Sequence, residues 1–263
     1  MFALFALVAC ESQYVITDTP ADLVVDETVT EPEEDFSEFD GAQLVIVTPA
    51  SGDFLPYEES SDFEAQILDA EGNVMEFDEI AWSSSADDAW SLLGATLADD
   101  TLDVGTHAIT ATAELPNGDR LAYTIGGVLV QSIYTGVYTG TLNVTAEGDY
   151  NGTTLSTGCG GAITLVVDAY GDTAVGDAGC LINLLGYEVD TTYLFDLEND
   201  DGALTGTAAL DLSFYQIDID AEGAIDDDGV LTLAFATDVY GLLTLDASVE
   251  AARVTRDISQ YTE

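Results

Sequence analysis

From residue 42 onward the chain consists of short runs in which apolar and polar residues alternate, separated by clusters of Gly, Asn, Asp and Pro. That period of two is the signature of half-buried strands, and no stretch sustains the period near 3.6 that a helix needs. Gln43–Thr48 is the first such run and stops at Pro49. Phe63–Ile67 alternates, and Asp69–Asn73 then supplies a hairpin turn. Ile80–Ser83 and His107–Glu114 follow, the latter alternating around Ala108, Thr110 and Thr112. After the turn Pro116–Asp119, Leu121–Val130 closes a first unit over residues 42–131.

The second unit, residues 132–256, repeats the hairpin pattern more strongly. Tyr134–Leu142 opens a strand whose glycines mark a bend or bulge. Ala162–Val167, the turn Asp168–Gly171 and Thr173–Val175 make one hairpin; Tyr193–Leu197, Asn199–Gly202 and Ala203–Leu212 make another. Ile225, the turn Asp226–Gly229 and Val230–Phe235 make a third, and Val239–Val249 is expected to close the sheet as a single strand. Asp-Gly turns between alternating runs are strong short-range hairpin signals. About eight antiparallel strands fit either a sandwich or an up-and-down barrel, and both readings stand at this point.

Spacing adds detail to the first unit. Trp82 follows the Phe63–Ile67 strand by about fifteen residues, and Asp103-Val104-Gly105-Thr106-His107-Ala108-Ile109 carries an Asp-x-Gly-x-x-x-Ile pattern. These two motifs resemble the immunoglobulin-like fold, whose core tryptophan and strand F entry have that placement. The resemblance implies that His107 stands at the tyrosine-corner position and Ile109 at a cysteine position, with Ala65 or Ile67 as the strand B counterpart. Apolar packing would then replace the bridge of that fold. The expected architecture is therefore all-β: an immunoglobulin-like sandwich, a second antiparallel sandwich or up-and-down barrel, and a short tail over residues 257–263. His107 is the chain's only histidine, so a metal or catalytic role lacks partners. A structural role is expected, with the imidazole bonded to a loop carbonyl.

The turn Asp168–Gly171 lies midway between Cys159 and Cys180. Antiparallel pairing about that turn sets the two cysteines opposite one another, to within a one-residue bulge, at a separation a disulfide tolerates. Such a bridge places the protein in an oxidising compartment. The third cysteine, Cys10, ends the apolar segment Met1–Cys10, which is too short to span a bilayer as a helix. Its last four residues, Leu7-Val8-Ala9-Cys10, resemble the lipobox of bacterial lipoproteins. That resemblance implies export, cleavage before Cys10 and a lipid on the cysteine. No basic residue precedes the apolar run, so the true start is expected upstream of Met1. Residues 11–41 hold eleven acids, two prolines and no base, and read as an extended tether.

Charge narrows the function. There are 51 Asp and Glu against three basic residues, a formal net charge of −48. That field repels nucleic acid and anionic lipid headgroups. Because the acids are spread over the whole chain, they read as a solvated surface suited to salty surroundings. One histidine, no lysine and no Gly-x-Ser-x-Gly or phosphate-binding loop leave most enzyme classes without their parts, so no enzyme is expected. Asp218–Asp226 imitates a calcium-binding helix–loop–helix segment, but its twelfth position is Gly229 where a bidentate Glu is required, and a strand is preferred. A looser Ca²⁺ site at Asp200, Asp201, Asp226, Asp227 and Asp228 is the one cofactor reading left open. Tyr134, Tyr138, Tyr150, Tyr187, Tyr193, Tyr215 and Tyr240 offer rings on which sugars could stack. The functional expectation is a lipid-anchored, non-catalytic surface protein of the cell envelope, exposed at an outer membrane or cell surface, with a structural, adhesive or assembly role. Its partners are the membrane, through Cys10, and a surface protein or polysaccharide. The second reading is a module binding carbohydrate or Ca²⁺.

Overall fold

The computed structural model of the protein describes residues 36–150, 152–184, 186–211, 216–239, 241 and 243–261. Cys10 and residues 11–35 of the expected tether lie outside that set. The folded unit begins earlier than residue 42: a 3₁₀ turn, Ser37–Phe39, puts Phe39 into the core at 8% exposure. Phe36 and Phe39, three residues apart, pack on the same cluster, which offsets the acidity of the flanking chain.

The strands of the first unit are β1 (Gln43–Thr48), β2 (Phe54–Pro56), β3 (Ser61–Leu68), β4 (Val74–Met75), β5 (Ile80–Ser84), β6 (Ser91–Leu93), β7 (Thr96–Asp99), β8 (Gly105–Glu114) and β9 (Arg120–Gln131). One sheet sets β3 between β1 and the short strands β4 and β7; the other runs β2-β9-β8-β5-β6. The pairing of β2 with β9 is parallel. Strand β3 buries Phe63, Ala65 and Ile67, and β8 buries His107, Ile109, Ala111 and Ala113, each on alternate positions. Between the sheets, Phe63 meets Trp82 edge-on at 5.6 Å and Trp90 at 5.3 Å between ring centroids. Both indole N–H groups find acceptors: Trp82 donates to the Gly94 carbonyl and Trp90 to Asp99, each at 2.8 Å. Strands β2, β6 and β7 have no counterpart in the sequence reading, since three or four residues are too few to show an alternation.

The second unit is a closed barrel. Its strands are β10 (Gly136–Tyr150), β11 (Thr153–Val167), β12 (Thr173–Leu184), β13 (Tyr187–Asp200), β14 (Ala203–Asp211), β15 (Gln216–Ile225), β16 (Val230–Val239) and β17 (Leu243–Thr255). They pair in sequence order, and β17 returns to β10. The choice between sandwich and barrel is thus decided. The single closing strand expected over Val239–Val249 is corrected: β16 ends at Val239, a turn with Gly241 at φ 66° intervenes, and β17 begins at Leu243. Apolar residues run through that turn, so the pattern gave no sign of the break.

Alternation fills the barrel and wets its outside. Tyr193, Phe195 and Leu197 of β13 point inward, as do Ile219 and Ala221 of β15. Asp190, Asp196 and Glu198 lie exposed on the opposite, outer face of β13, and Asp218, Asp220 and Glu222 line the outside of β15. The strand preferred for Asp218–Asp226 is therefore what forms. The outward positions carry mostly Thr, Ser, Ala and Gly, with carboxylates concentrated on β13 and β15, and so lack the continuous apolar band of a lipid-facing barrel. No helix among the described residues is long and apolar enough to cross a membrane.

Five inward positions are glycines pressed against a neighbouring backbone. A Cβ on Gly140 would lie 2.0 Å from the Glu250 carbonyl oxygen, and one on Gly161 would lie 1.8 Å from that of Gly179. Gly176, Gly206 and Gly223 would clash with Thr164, Asp196 and Thr232 in the same way, at 2.0, 2.3 and 2.0 Å. At these points strands coil sharply enough to bring one backbone over the next, which only a residue without a side chain permits.

Cys159 and Cys180 form a disulfide with Cα atoms 5.8 Å apart. They are not directly opposed, however. The β11–β12 ladder pairs Ala162 with Gly179 and ends there; extended, it would set Cys180 against Gly161. The bridge closes the two strands beyond their last paired residues, next to the tight Gly161–Gly179 approach. Cutting it, by Cys159→Ser with Cys180→Ser or by reduction, is expected to cost about 3 kcal/mol for a loop of this length. Urea unfolding with and without reductant measures that difference; identical midpoints would mean the bridge constrains nothing.

Candidate functional site

Chain direction brings one set of turns to the end of the barrel that faces the sandwich. Strand β10 leaves the linker 132–135 at that end, so the turns β11–β12, β13–β14 and β15–β16 all return to it. The linker is fixed in place by hydrogen bonds. Ser132 N donates to the Ala169 carbonyl at 3.0 Å, and the Thr135 hydroxyl donates to the Asp168 carbonyl at 2.7 Å. Gly171, at φ +84°, packs so tightly on Ser132 that a Cβ there would lie 2.1 Å from the serine oxygen.

Two of the chain's three basic residues serve this junction. Arg253 donates to the Ile133 carbonyl, and Arg256 donates to the carbonyls of Ser132 and Ile133 at 3.3 and 3.1 Å. The Arg256 guanidinium also lies 4.2 Å from the ring centroid of Phe54 in the sandwich. Burial, and then the neighbouring Arg253 charge, lower the Arg256 pKa from its usual value. The last strand of the barrel is thereby joined to β2 of the sandwich.

Beside this junction is a cleft of about 400 Å³. Tyr57, Tyr134 and Tyr170 line it, together with Glu58, Glu59 and Asp201. Tyr57 and Tyr170 meet edge-to-face at 5.5 Å between centroids. Their hydroxyls are directed at carboxylates: Tyr134 donates to Asp201 at 3.1 Å and Tyr170 to Asp103 at 3.5 Å. Desolvation raises the Tyr57 pKa, with the Glu58 and Asp103 charges adding to it; desolvation and the bond to Asp201 raise that of Tyr134. Both groups therefore stay protonated to higher pH than a free tyrosine. The Tyr134 ring is held from the other side too, because Gly202, at φ +85°, lies against it.

The other sequence candidates are distributed as follows. Asp201 enters the cleft and Asp200 lines it, but Asp226 accepts the Val230 N–H at 2.7 Å to close its own turn. Among the described residues no three Asp, Glu, His or Cys side chains gather as a metal-ligand set. His107 is 1% exposed; its Nε2 donates to the Asp103 carbonyl at 2.9 Å, and its Nδ1 shares a 2.6 Å bond with the Ser84 hydroxyl. Tyr138 and Tyr193 are buried in the barrel, and Tyr187 is exposed at the β12–β13 turn. Tyr150 ends β10, while Tyr215 and Tyr240 lie outside the described residues. Two of the cleft's three tyrosines, Tyr57 and Tyr170, were not among the sugar-stacking candidates. Tyr170 sits in a predicted turn and Tyr57 just after Pro56, and only the docking of the two units brings them together. No protein-family model matches the chain, and no curated protein matches it.

Proposed function

We propose that this is an exported, lipid-anchored, non-catalytic protein of the cell surface, with a structural, adhesive or assembly role in the envelope. The observation that carries the reading is the Cys159–Cys180 disulfide. A structural bridge belongs to an oxidising compartment, and its formation leaves Cys10 as the one cysteine without a bridge partner in the chain. Lipid on Cys10, in the setting Leu7-Val8-Ala9-Cys10, accounts for it. The polar outward face of the barrel, with carboxylates along β13 and β15, is consistent with a body that stands in water and reaches the membrane through an anchor.

The sandwich is read as immunoglobulin-like. Supporting this are the buried Trp82 on β5, the parallel pairing of β2 with β9, and the bond from His107 back to the carbonyl four residues earlier. Mass spectrometry of the mature protein from its native host tests the anchor. The expected N-terminus is Cys10 carrying acyl mass, and a mature chain that retains Met1 without acyl mass would remove the proposal.

A further inference from the structure

Carboxylates do not distinguish the junction cleft, since acids occur in both units of the chain. Its aromatic walls do. Of the tyrosines with described side chains, Tyr138 and Tyr193 are buried in the barrel, whereas Tyr57, Tyr134 and Tyr170 face one concavity between two units. A volume of about 400 Å³ at a domain junction is the size and place of a small-ligand site. Tyr170 is 47% exposed, so its ring is open to a ligand and not part of a packed core.

Donors and acceptors then limit what fits. The Tyr134 and Tyr170 hydroxyls already donate to Asp201 and Asp103, and the Asn199 amide donates to the Gly171 carbonyl at 2.5 Å. The Tyr57 hydroxyl is likewise directed at Glu58, so what remains toward the cleft are π faces and carboxylate acceptors, among them Glu59, Asp200 and Asp201. An anion is repelled. A neutral ligand rich in hydroxyl donors and carrying a flat C–H face satisfies both surfaces. A small cation would also be attracted, but at the ionic strength such an acidic surface suits, that attraction is screened while ring stacking is not.

We propose that the junction cleft binds a neutral saccharide, whose ring stacks on the cleft tyrosines and whose hydroxyls donate to the carboxylates beside them. The site is independent of the lipid anchor, so either proposal can fail without the other.

Isothermal titration of the full chain with neutral tetrasaccharides (malto-, cello-, chito- and mannotetraose) tests this, with tetragalacturonate and spermidine as charged comparators. At least one neutral tetrasaccharide should bind, with affinity changing less than about twofold between low salt and about 1 M NaCl. Tyr170→Ala and Tyr134→Ala should each weaken it about tenfold, while Tyr187→Ala, at the opposite end of the barrel, should not. An unchanged melting temperature shows that the variants remain folded, and Tyr170→Phe should retain binding. The proposal is overturned if no neutral tetrasaccharide binds at about 10 mM, if Tyr170→Ala in a folded protein binds as well as the parent, or if spermidine alone binds and salt abolishes it.

Discussion

Gly140→Val is expected to prevent stable closure of the barrel. Gly140 lies on β10 at the seam with β17, opposite Ala251, and its missing side chain is what lets the Glu250 carbonyl oxygen come within 2.0 Å of the Cβ position. The nearest obstacles are backbone atoms of Glu250 and Ala251, which cannot rotate aside as a side chain would. Valine therefore has to push the two strands apart at the one pairing that makes the sheet continuous. Overpacking of a rigid site costs about 3 kcal/mol, and opening the seam adds two unpaired strand edges. Guanidinium unfolding should show the loss, and amide exchange should quicken first along β10 and β17. Thr139→Val, one residue away on the exposed face, is the control and should be neutral within about 0.5 kcal/mol. Equal stability of the two variants would mean that the barrel does not need the close approach at Gly140.

Trp82→Ala should be the most damaging truncation in the sandwich, at about 4 kcal/mol. The ring is 1% exposed and packs edge-on against Phe63. Its loss removes a large buried surface, leaves a cavity between the sheets, and strips the Gly94 carbonyl of its donor. Trp82→Phe keeps an aromatic ring against Phe63 and loses the N–H with part of the indole, so its cost should fall to about 2 kcal/mol. Chemical unfolding followed by the fluorescence of the remaining Trp90 measures both. A Trp82→Ala protein as stable as the Phe variant would show that the core closes over the gap.

How much of this was legible in the sequence depended on the range of the interaction. Strand β1 falls on the residues the alternation marks, and β3, β5, β8 and β9 extend beyond their runs by at most two residues at an end. A period of two is written locally, in the side chains of the strand itself. The Asp201-Gly202 turn is equally local: both residues take positive φ, 49° and 85°, as a tight hairpin requires. The long barrel strands were read too short. Glycines and threonines near the far ends of β10 and β11 interrupt the apolar alternation, although the hydrogen-bonded ladder continues through them. The cysteine pair was found because it spans one hairpin, but its offset from direct opposition depends on Gly161 and Gly179 from facing strands.

The all-β class, the Asp-Gly turn positions, the bridged cysteines and the net acidity were therefore determined by the sequence alone, because each rests on residues close together in the chain or on composition. Tertiary structure decided that eight strands close into a barrel, since closure is a pairing of β10 with β17, whose paired residues lie roughly a hundred positions apart. It also decided the cleft. Tyr57, Tyr134 and Tyr170 come from three separate segments, and no local pattern relates them. They meet because Arg253 and Arg256, at the end of the last strand, hold the linker 132–135 against the turns of the barrel, with Arg256 stacked on Phe54 of the sandwich.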